Sequence, residues 1–190
     1  MPRLFTAIEL PSELRDELYR LHQPLPGARW IHRDNYHVTL RFVGDIPRHE
    51  AREFADNLAS IEVDPFELRI TGLGVFGGND PHAVWAAVDM SPALEELARA
   101  HEKAARNAGF PPEKRPFKPH VTLARLKHSN PLAIARFLTR YGGYRSKPIY
   151  VTRTVLMSSR PVTGGGPYAI EDIFPMRGGD FTFEDRDSVW

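Results

Sequence analysis

Two histidine–threonine pairs in this sequence could carry out chemistry. The tetrapeptide HVTL occurs at His37–Leu40 and again at His120–Leu123. Residues two apart in a strand share a face, so each copy presents an imidazole and a hydroxyl on one side and anchors its aliphatic residues on the other. Two imidazoles that flank a phosphate can divide the duties of general base and general acid, because a pKa near 6.5 lets one be neutral and the other protonated. The hydroxyls of Thr39 and Thr122 can donate to its oxygens.

A structural role is the simplest alternative for a single copy of this motif. Preserved packing would explain a repeated valine and leucine, but it would not explain a polar histidine and threonine at both sites. A zinc site is the weaker alternative, since the spacing differs from HExxH and from two histidines with a carboxylate. The remaining six histidines have no such pairing, and we expect them at the surface or at helix caps: His22, His32, His49, His82, His101 and His128.

The elements around the two motifs repeat in the same order. Each half predicts a helix, the HVTL strand, a second helix and then two strands, and His37 and His120 lie 83 positions apart (120 − 37). The predicted helices begin at Ser12 as an N-cap, after Pro47, at Ser91–Pro92 (ending at Gly109) and at Asn130–Pro131 (ending at Gly142). The predicted strands are FELRIT (66–71), HAVWAAVD (82–89), PIYVTRTVLM (148–157) and PYAIEDIF (167–174).

This repeat predicts an α+β fold with two lobes related by a pseudo-twofold axis. Each lobe would hold an antiparallel sheet backed by two helices, with the active-site cleft between the lobes. The halves span about 1–90 and 91–177 of a single domain, 1–177. The first strand, residues 3–10, has no counterpart in the second half, so we expect it to join the last strands in one lobe. Residues 178–190 form an acidic tail that we interpret as disordered.

Composition indicates a globular protein with an uneven charge distribution. The chain has 190 residues, a net charge of +1 and no cysteine, which excludes disulfides, a thiol nucleophile and thiolate metal sites. It has neither a membrane-length apolar run nor the features of a signal peptide, so we expect it in the cytoplasm. Residues 114–170 carry eleven basic and no acidic side chains, whereas residues 1–113 carry twelve basic and eighteen acidic ones. The basic block favours a polyanion such as phosphate or RNA, although a solvated basic face is the plain alternative.

Two glycine-rich segments resemble nucleotide-binding loops but lack the sequence features that accompany such loops. Gly72–Gly77 matches GxGxxG, but no helix follows it, so we interpret it as a loop between strands. Gly164–Pro167 is predicted to be a hairpin turn. Neither segment contains the GK[ST] of a nucleotide-binding P-loop.

The paired HxTx motifs, with their contexts RWIHRDNYHVTLRFVGDI and RPFKPHVTLARL, resemble the 2H phosphoesterase superfamily. Within it the chain is similar to the RNA 2',3'-cyclic phosphodiesterases, also called 2'-5' RNA ligase-like proteins. Further similarity lies in LFTAIELP, in GLGVFGG followed by HAVWAAV, and in VLMSSR and PYAIEDIFPM, so that it covers roughly residues 2–177.

The resemblance implies hydrolysis of an RNA 2',3'-cyclic phosphate to a 2'-phosphate without metal, ATP or cofactor. His120 would be the general base, His37 the general acid, and Thr39 and Thr122 would hold the phosphate; the sequence alone leaves acid and base open. Arg125 is a further candidate phosphate ligand, although strand parity places it on the side of Val121 and Leu123.

The aromatic residues divide by the same parity argument. Phe42 falls on the side of Val38 and is expected in the core, while Trp30, Phe76 and Trp85 could pack or stack on a base.

The implied partner is RNA with a cyclic phosphate end, for example a tRNA fragment, bound by a monomer with no membrane attachment. Reversal of the reaction would give 2'-5' ligation. Two alternatives remain: a non-catalytic RNA-binding module, and a 2H phosphodiesterase that acts on another cyclic or 2'-5' linked nucleotide.

Overall fold

The structure is a computed structural model that describes residues 3–159 and 168–178. Most of the predicted acidic tail and the turn predicted at Gly164–Pro167 lie outside these residues. No helix within the described ranges has the length and apolar character needed to cross a bilayer. The elements, in chain order, are β1 (Arg3–Glu9), α1 (Ser12–Tyr19), β2 (Ala28–Trp30), a 3-10 turn (Arg33–Asn35), β3 (His37–Asp45), α2 (Arg48–Ala59), β4 (Phe66–Leu68), β5 (Ile70–Phe76), β6 (Ala83–Val88), α3 (Pro92–Asn107), β7 (His120–Leu126), α4 (Pro131–Tyr141), β8 (Ile149–Val151), β9 (Arg153–Ser159) and β10 (Ala169–Pro175).

The strands form two four-stranded antiparallel sheets, and each sheet contains strands from both halves of the chain. The first sheet has the order β10-β9-β1-β3 and the second has the order β2-β7-β6-β5. The strand β1 pairs with β9, which confirms that the first strand joins the last strands. In space, β6 lies beside the second motif strand as β1 lies beside the first, although β6 belongs to the first half of the chain.

The helices also cross between the halves. Phe54 of α2 and Ala105 of α3 pack in one cluster with residues of the first sheet. Leu18 of α1 and Phe137 of α4 belong to a larger cluster with the second sheet. The α+β fold with two helix-backed antiparallel sheets is thus confirmed, with each sheet assembled from both halves.

Each motif strand contains an extra residue directly after its threonine, opposite the neighbouring inner strand, and β3 has a second one at Val43. On β3, Arg41 and Thr39 pair with consecutive residues of β1, which leaves Leu40 unpaired. On β7, Ala124 and Thr122 pair with consecutive residues of β6, which leaves Leu123 unpaired. An unpaired residue of this kind is a β-bulge, and it reverses the alternation of side chains along the strand. Both motifs therefore switch faces immediately after their histidine and threonine.

All four predicted helix starts are confirmed, as are two of the three predicted side-chain N-caps. Ser91 accepts a hydrogen bond from the Leu94 N–H, and Asn130 accepts from the N–H groups of Leu132 and Ala133. The helix α2 begins directly after Pro47. Ser12 is not a cap, because Pro11 occupies the N-cap position and no side chain caps the helix.

Two strand predictions and one loop prediction differ from the structure. The stretch 66–71 divides at Arg69 and 148–157 divides at Thr152, so that β4 and β8 leave the large sheets and pair with each other. The glycine-rich segment interpreted as a loop is mostly strand β5. Gly74 is needed there because a Cβ at this position would lie 2.5 Å from the ring of Trp85 on β6.

His101 is buried, contrary to the prediction that it lies at the surface or at a cap. It is 1% exposed on α3, and its Nδ1 lies 2.9 Å from the Thr6 hydroxyl on β1. Burial lowers the pKa of His101 to about 3, because the charged imidazolium would lose its hydration.

We expect His101→Asn to reduce the loss of stability in acid. A histidine with a lowered folded pKa stays neutral in the native state while the unfolded chain binds a proton, so stability falls as pH falls from 6.5 toward 3. Between pH 7 and pH 5 the wild type should lose about 2 kcal/mol more than the variant. Urea unfolding at both pH values measures this difference. The matched control His49→Asn, at an exposed position, should leave it unchanged, and equal losses in wild type and His101→Asn would contradict the expectation.

Candidate active site

The two motif strands meet where the sheets face each other. The strand β3 forms the edge of the first sheet, β7 lies inside the second, and the two strands contact each other. In both, the motif valine and leucine are buried while the histidine and threonine are only half-buried. The predicted division of each motif into an anchoring face and a cleft face is confirmed.

Each imidazole is oriented by a backbone carbonyl two residues before it. His37 Nδ1 lies 2.8 Å from the Asn35 carbonyl oxygen, and His120 Nδ1 lies 2.6 Å from that of Lys118. A carbonyl oxygen can only accept, so Nδ1 carries the proton in both rings. Nε2 of each neutral ring is therefore the atom available to take up a proton.

Thr39 contacts the histidine of its own motif. Its hydroxyl lies 3.0 Å from His37 Nε2, and the assigned tautomer makes the hydroxyl the donor. Thr122 takes the equivalent half-buried position on β7. A ligand oxygen that approaches Nε2 of His37 would thus meet the Thr39 hydroxyl as well.

Two pairs of aromatic rings enclose the histidines. The ring centroids of Phe5 and Tyr168 lie 4.9 and 5.3 Å from that of His37. On the other side of the cleft, Phe76 and Trp85 lie 4.9 and 6.2 Å from His120. These rings exclude water from the imidazoles.

Trp30 does not belong to these aromatic pairs. It stacks on His22 at 4.4 Å and contacts Phe137, so it packs away from the motif histidines. Of the three aromatic residues left open by the sequence, only Phe76 and Trp85 flank a motif histidine.

Burial and neighbouring cations lower the pKa of both motif histidines. The pKa of His37 is lowered to about 4, mainly by desolvation and to a smaller extent by the charges of His120 and Arg125, while the hydrogen bond to the Asn35 carbonyl opposes the shift. Desolvation also lowers the pKa of His120, as do the charges of Arg125 and Lys118. In the free protein both rings are therefore neutral at pH 7.

Arg125 reaches the cleft because of the bulge at Leu123. Its side chain is exposed between buried Ala124 and Leu126, and its charge acts on His37 as well as on His120. Parity counted without the bulge placed it among the core residues, which is wrong. The guanidinium is thus a cation that the two motif histidines share.

Phe42 is the counterpart of Arg125 on β3, and its predicted core position is also wrong. The bulge at Leu40 turns it outward, and its side chain is 49% exposed. Sequence reasoning missed Lys118 altogether. Its ammonium lies 4.7 Å from the Trp85 ring centroid and 5.2 Å from that of Phe76. The available signal was its position two residues before His120, which gives it the same strand parity.

The remaining histidines lie outside the two motifs, and not all are exposed. The ring of His82 stacks on that of Phe76 with a centroid distance of 6.3 Å. His32 caps the 3-10 turn, and His49, His82 and His128 are exposed, as predicted. His22 is half-buried, with Nε2 2.8 Å from the Tyr36 hydroxyl, so its predicted surface or cap position is wrong. In residues 3–159 and 168–178, no three His, Asp or Glu side chains come together as a metal site.

A groove of about 1010 Å³ opens from the cleft. Thr39 and His120 lie in its lining, together with Phe42 and Lys118. From there it runs between the end of β3, the helix α3 and the segment 110–118 that precedes the second motif.

The halves that meet at this cleft match one family model twice. The model of LigT-like phosphoesterases matches residues 8–86 and again residues 87–168, so that each match contains one HVTL motif. The chain belongs to the LigT-like phosphoesterase family. The repeat predicted from the sequence is therefore the repeat of this family.

Relatives within the LigT-like family cover much of the chain. An RNA 2',3'-cyclic phosphodiesterase of Aeropyrum pernix is 33% identical over 161 residues, which cover 82% of this chain and 88% of the relative. One of Geobacillus stearothermophilus is 36% identical over 128 residues, 64% of this chain, and this chain spans only 41% of that protein. The crystal structure of Escherichia coli LigT complexed with 3'-AMP has a TM-score of 0.74 and 25% identity, covering 93% of this chain and 99% of that one.

Removing the shared cation should raise the pKa of both motif histidines. In Arg125→Met the neighbouring positive charge is lost, so the protonated form of each imidazole becomes less unfavourable. NMR titration of the imidazole carbon-bound protons measures both values. Arg125→Lys, which keeps the charge, should stay close to wild type, and Arg136→Met on the exposed face of α4 serves as the remote control. Unchanged values in Arg125→Met would place Arg125 outside the cleft.

Proposed function

We propose that this LigT-like phosphoesterase hydrolyses RNA ends that carry a 2',3'-cyclic phosphate and leaves a 2'-phosphate. The observation that carries the proposal is the pair of motif imidazoles, each oriented by a carbonyl at Nδ1 and both within the field of Arg125. The names of the relatives from Aeropyrum and Geobacillus support the substrate class.

In this proposal His120 is the general base and His37 is the general acid. Nε2 of neutral His120 accepts a proton from water, and the water oxygen forms a bond to phosphorus. The bond from phosphorus to the 3' oxygen breaks, and protonated His37 gives its Nε2 proton to that oxygen. The bond from phosphorus to the 2' oxygen stays intact. His120 gains one proton and His37 loses one, so proton exchange with solvent returns both imidazoles to their starting protonation states.

The phosphate itself would be held by side chains that surround the imidazoles. The hydroxyls of Thr39 and Thr122 would donate to non-bridging oxygens, and the Arg125 guanidinium would offset the charge that develops in the transition state. Both histidines are neutral in the empty site, and a bound anion raises the pKa of a nearby imidazole. Substrate binding would therefore favour the protonated His37 that the reaction requires.

The same displacement with another nucleophile would join a cyclic phosphate to a hydroxyl of a second RNA. The 5' hydroxyl takes the place of water, and a 2'-5' linkage results. All named groups come from one chain, which supports a monomer as the active unit, and none of the steps uses a metal or ATP.

Replacing either motif histidine should remove most of the activity. We expect His37→Ala and His120→Ala each to lower kcat about 10²–10⁴-fold on an RNA with a cyclic phosphate end, because general acid and base catalysis contribute on this scale. Phosphorus NMR of the product locates the phosphate on the 2' or the 3' oxygen.

The controls for these variants separate catalysis from binding and from metal chemistry. His49→Ala, at an exposed position on α2 outside the groove lining, should keep wild-type activity. Activity should also survive excess chelator. Full activity in either motif variant would refute the mechanism, whereas salt-dependent RNA binding without turnover in the wild type would favour a non-catalytic binding module.

The pH dependence of kcat/KM should be bell-shaped with its maximum below pH 6.5. This profile reports the pKa values of the free enzyme, and those of both motif histidines are lowered. As pH rises, the fraction of molecules with a protonated acid falls, so activity should decrease toward pH 8. Initial rates from pH 4.5 to 8.5 at low substrate concentration test this, and a maximum above pH 7.5 would contradict the assignment.

A further inference from the structure

The groove that leaves the cleft is larger than the reacting phosphate requires. Its volume of about 1010 Å³ lies at the upper end of the range of about 300–1,000 Å³ that drug-sized ligands occupy, and a mononucleotide is such a ligand. Thr39 and His120 line its inner end, so a molecule bound at the histidines would extend directly into it.

One buried arginine pairs with two of the three acidic side chains in the groove. Arg41 is 7% exposed, and its Nε lies 2.6 Å from a carboxylate oxygen of Glu102. Its Nη1 lies 3.6 Å from a carboxylate oxygen of Glu113. Of the acidic lining residues, only Glu95 forms no ion pair with Arg41.

Four lining cations remain available for an anionic ligand. Arg99 lies on α3, and Lys114, Arg115 and Lys118 lie on the segment 110–118. All four are exposed, and within the described residues none of them forms a salt bridge. With Arg41 included, the lining carries five basic and three acidic side chains, so the groove has a net charge of +2, which favours a polyanion.

The segment that carries these cations is fixed in place. The Glu113 carboxylate accepts hydrogen bonds from the backbone N–H of Lys114 at 2.9 Å and of Arg115 at 3.2 Å. Arg41 donates to the Pro111 carbonyl at 2.5 Å, and the Glu113 N–H donates to Glu102 at 3.2 Å. A fixed wall loses little conformational entropy when a ligand binds.

Apolar surface alternates with these charges along the groove. Phe42 is 49% exposed and Met90 is 44% exposed, and Phe110 and Phe117 are half-buried in the same lining. Exposed aromatic rings beside cations are the combination that binds single-stranded nucleic acid, because bases stack on the rings while phosphates meet the charges.

We propose that this groove holds the single-stranded nucleotides on the 5' side of the cyclic phosphate. The cyclic phosphate closes the 3' end of an RNA, so the rest of the strand can leave the reacting ribose only in the 5' direction. Arg99, Lys114 and Arg115 would contact its backbone phosphates. This inference rests on the proposed function and adds that the preferred substrate is an oligonucleotide rather than a mononucleotide.

The test compares substrates of increasing length that all end in a 2',3'-cyclic phosphate. For the wild type we expect kcat/KM to rise at least about tenfold from a mononucleotide to a hexanucleotide, since each base that stacks contributes about 1–3 kcal/mol. The longer substrate should also show a steeper dependence on salt, by about 0.7 in the log–log slope for each phosphate contacted.

The decisive variant is Lys114→Ala with Arg115→Ala. The ratio of kcat/KM for the hexanucleotide to that for the mononucleotide should fall toward one, and the salt slope should become shallower. The matched control, Arg136→Ala with Lys147→Ala, removes two exposed cations outside the groove lining and should keep the wild-type ratio. Thermal unfolding of each variant verifies that the fold is retained.

The two proposals fail in different ways. If the wild type hydrolyses the mononucleotide and the hexanucleotide equally well, or if the variant keeps the wild-type ratio, the groove does not hold the RNA strand. If the wild type hydrolyses neither substrate, the proposed function itself is wrong.

Discussion

The arrangement of the cleft depends on one unpaired leucine in each motif strand. Side chains in a strand alternate strictly, so a regular β7 would turn Arg125 to the core side and a regular β3 would do the same to Phe42. The extra residues Leu40 and Leu123 reverse the alternation after the threonine. Each motif can therefore anchor its strand with aliphatic residues and still place its histidine, its threonine and the residue three positions after the threonine on the cleft side.

The lowered pKa values of the motif histidines result from burial together with nearby positive charge. Aromatic neighbours and the motif core remove water from His37, and Arg125 adds a positive charge, so that protonation is disfavoured in the empty site. The same surroundings favour an anion, because a phosphate would be the missing negative partner of two imidazoles and a guanidinium. The site is organised for a ligand whose charge completes it.

Much of the fold and site could be predicted from sequence because periodicity and helix capping are local. The two HVTL copies, their buried and cleft faces, and the caps at Ser91 and Asn130 depend only on neighbouring residues. Arg125 and Phe42 were misplaced because a bulge arises from pairing with another strand, which no local pattern records. The role of Gly74 likewise depends on Trp85 across the sheet. For His101 a signal existed, since it continues the apolar face of Leu97 and Ala105 on α3.

The small pair formed by β4 and β8 joins equivalent segments of the two halves. Phe66 pairs with Val151 and Leu68 pairs with Ile149, so exchanging the halves reproduces the same ladder, as in the self-complementary interface of a symmetric dimer. A perfectly symmetric molecule would treat both sides of a bound phosphate alike and could not assign one side to the incoming oxygen and the other to the departing one. A fixed division of the acid and base roles between the two histidines must come from positions where the halves disagree, such as Phe42 against Arg125 and Asn35 against Lys118. In a duplicated protein of this kind, the divergence between the copies is what lets two identical motifs take different roles.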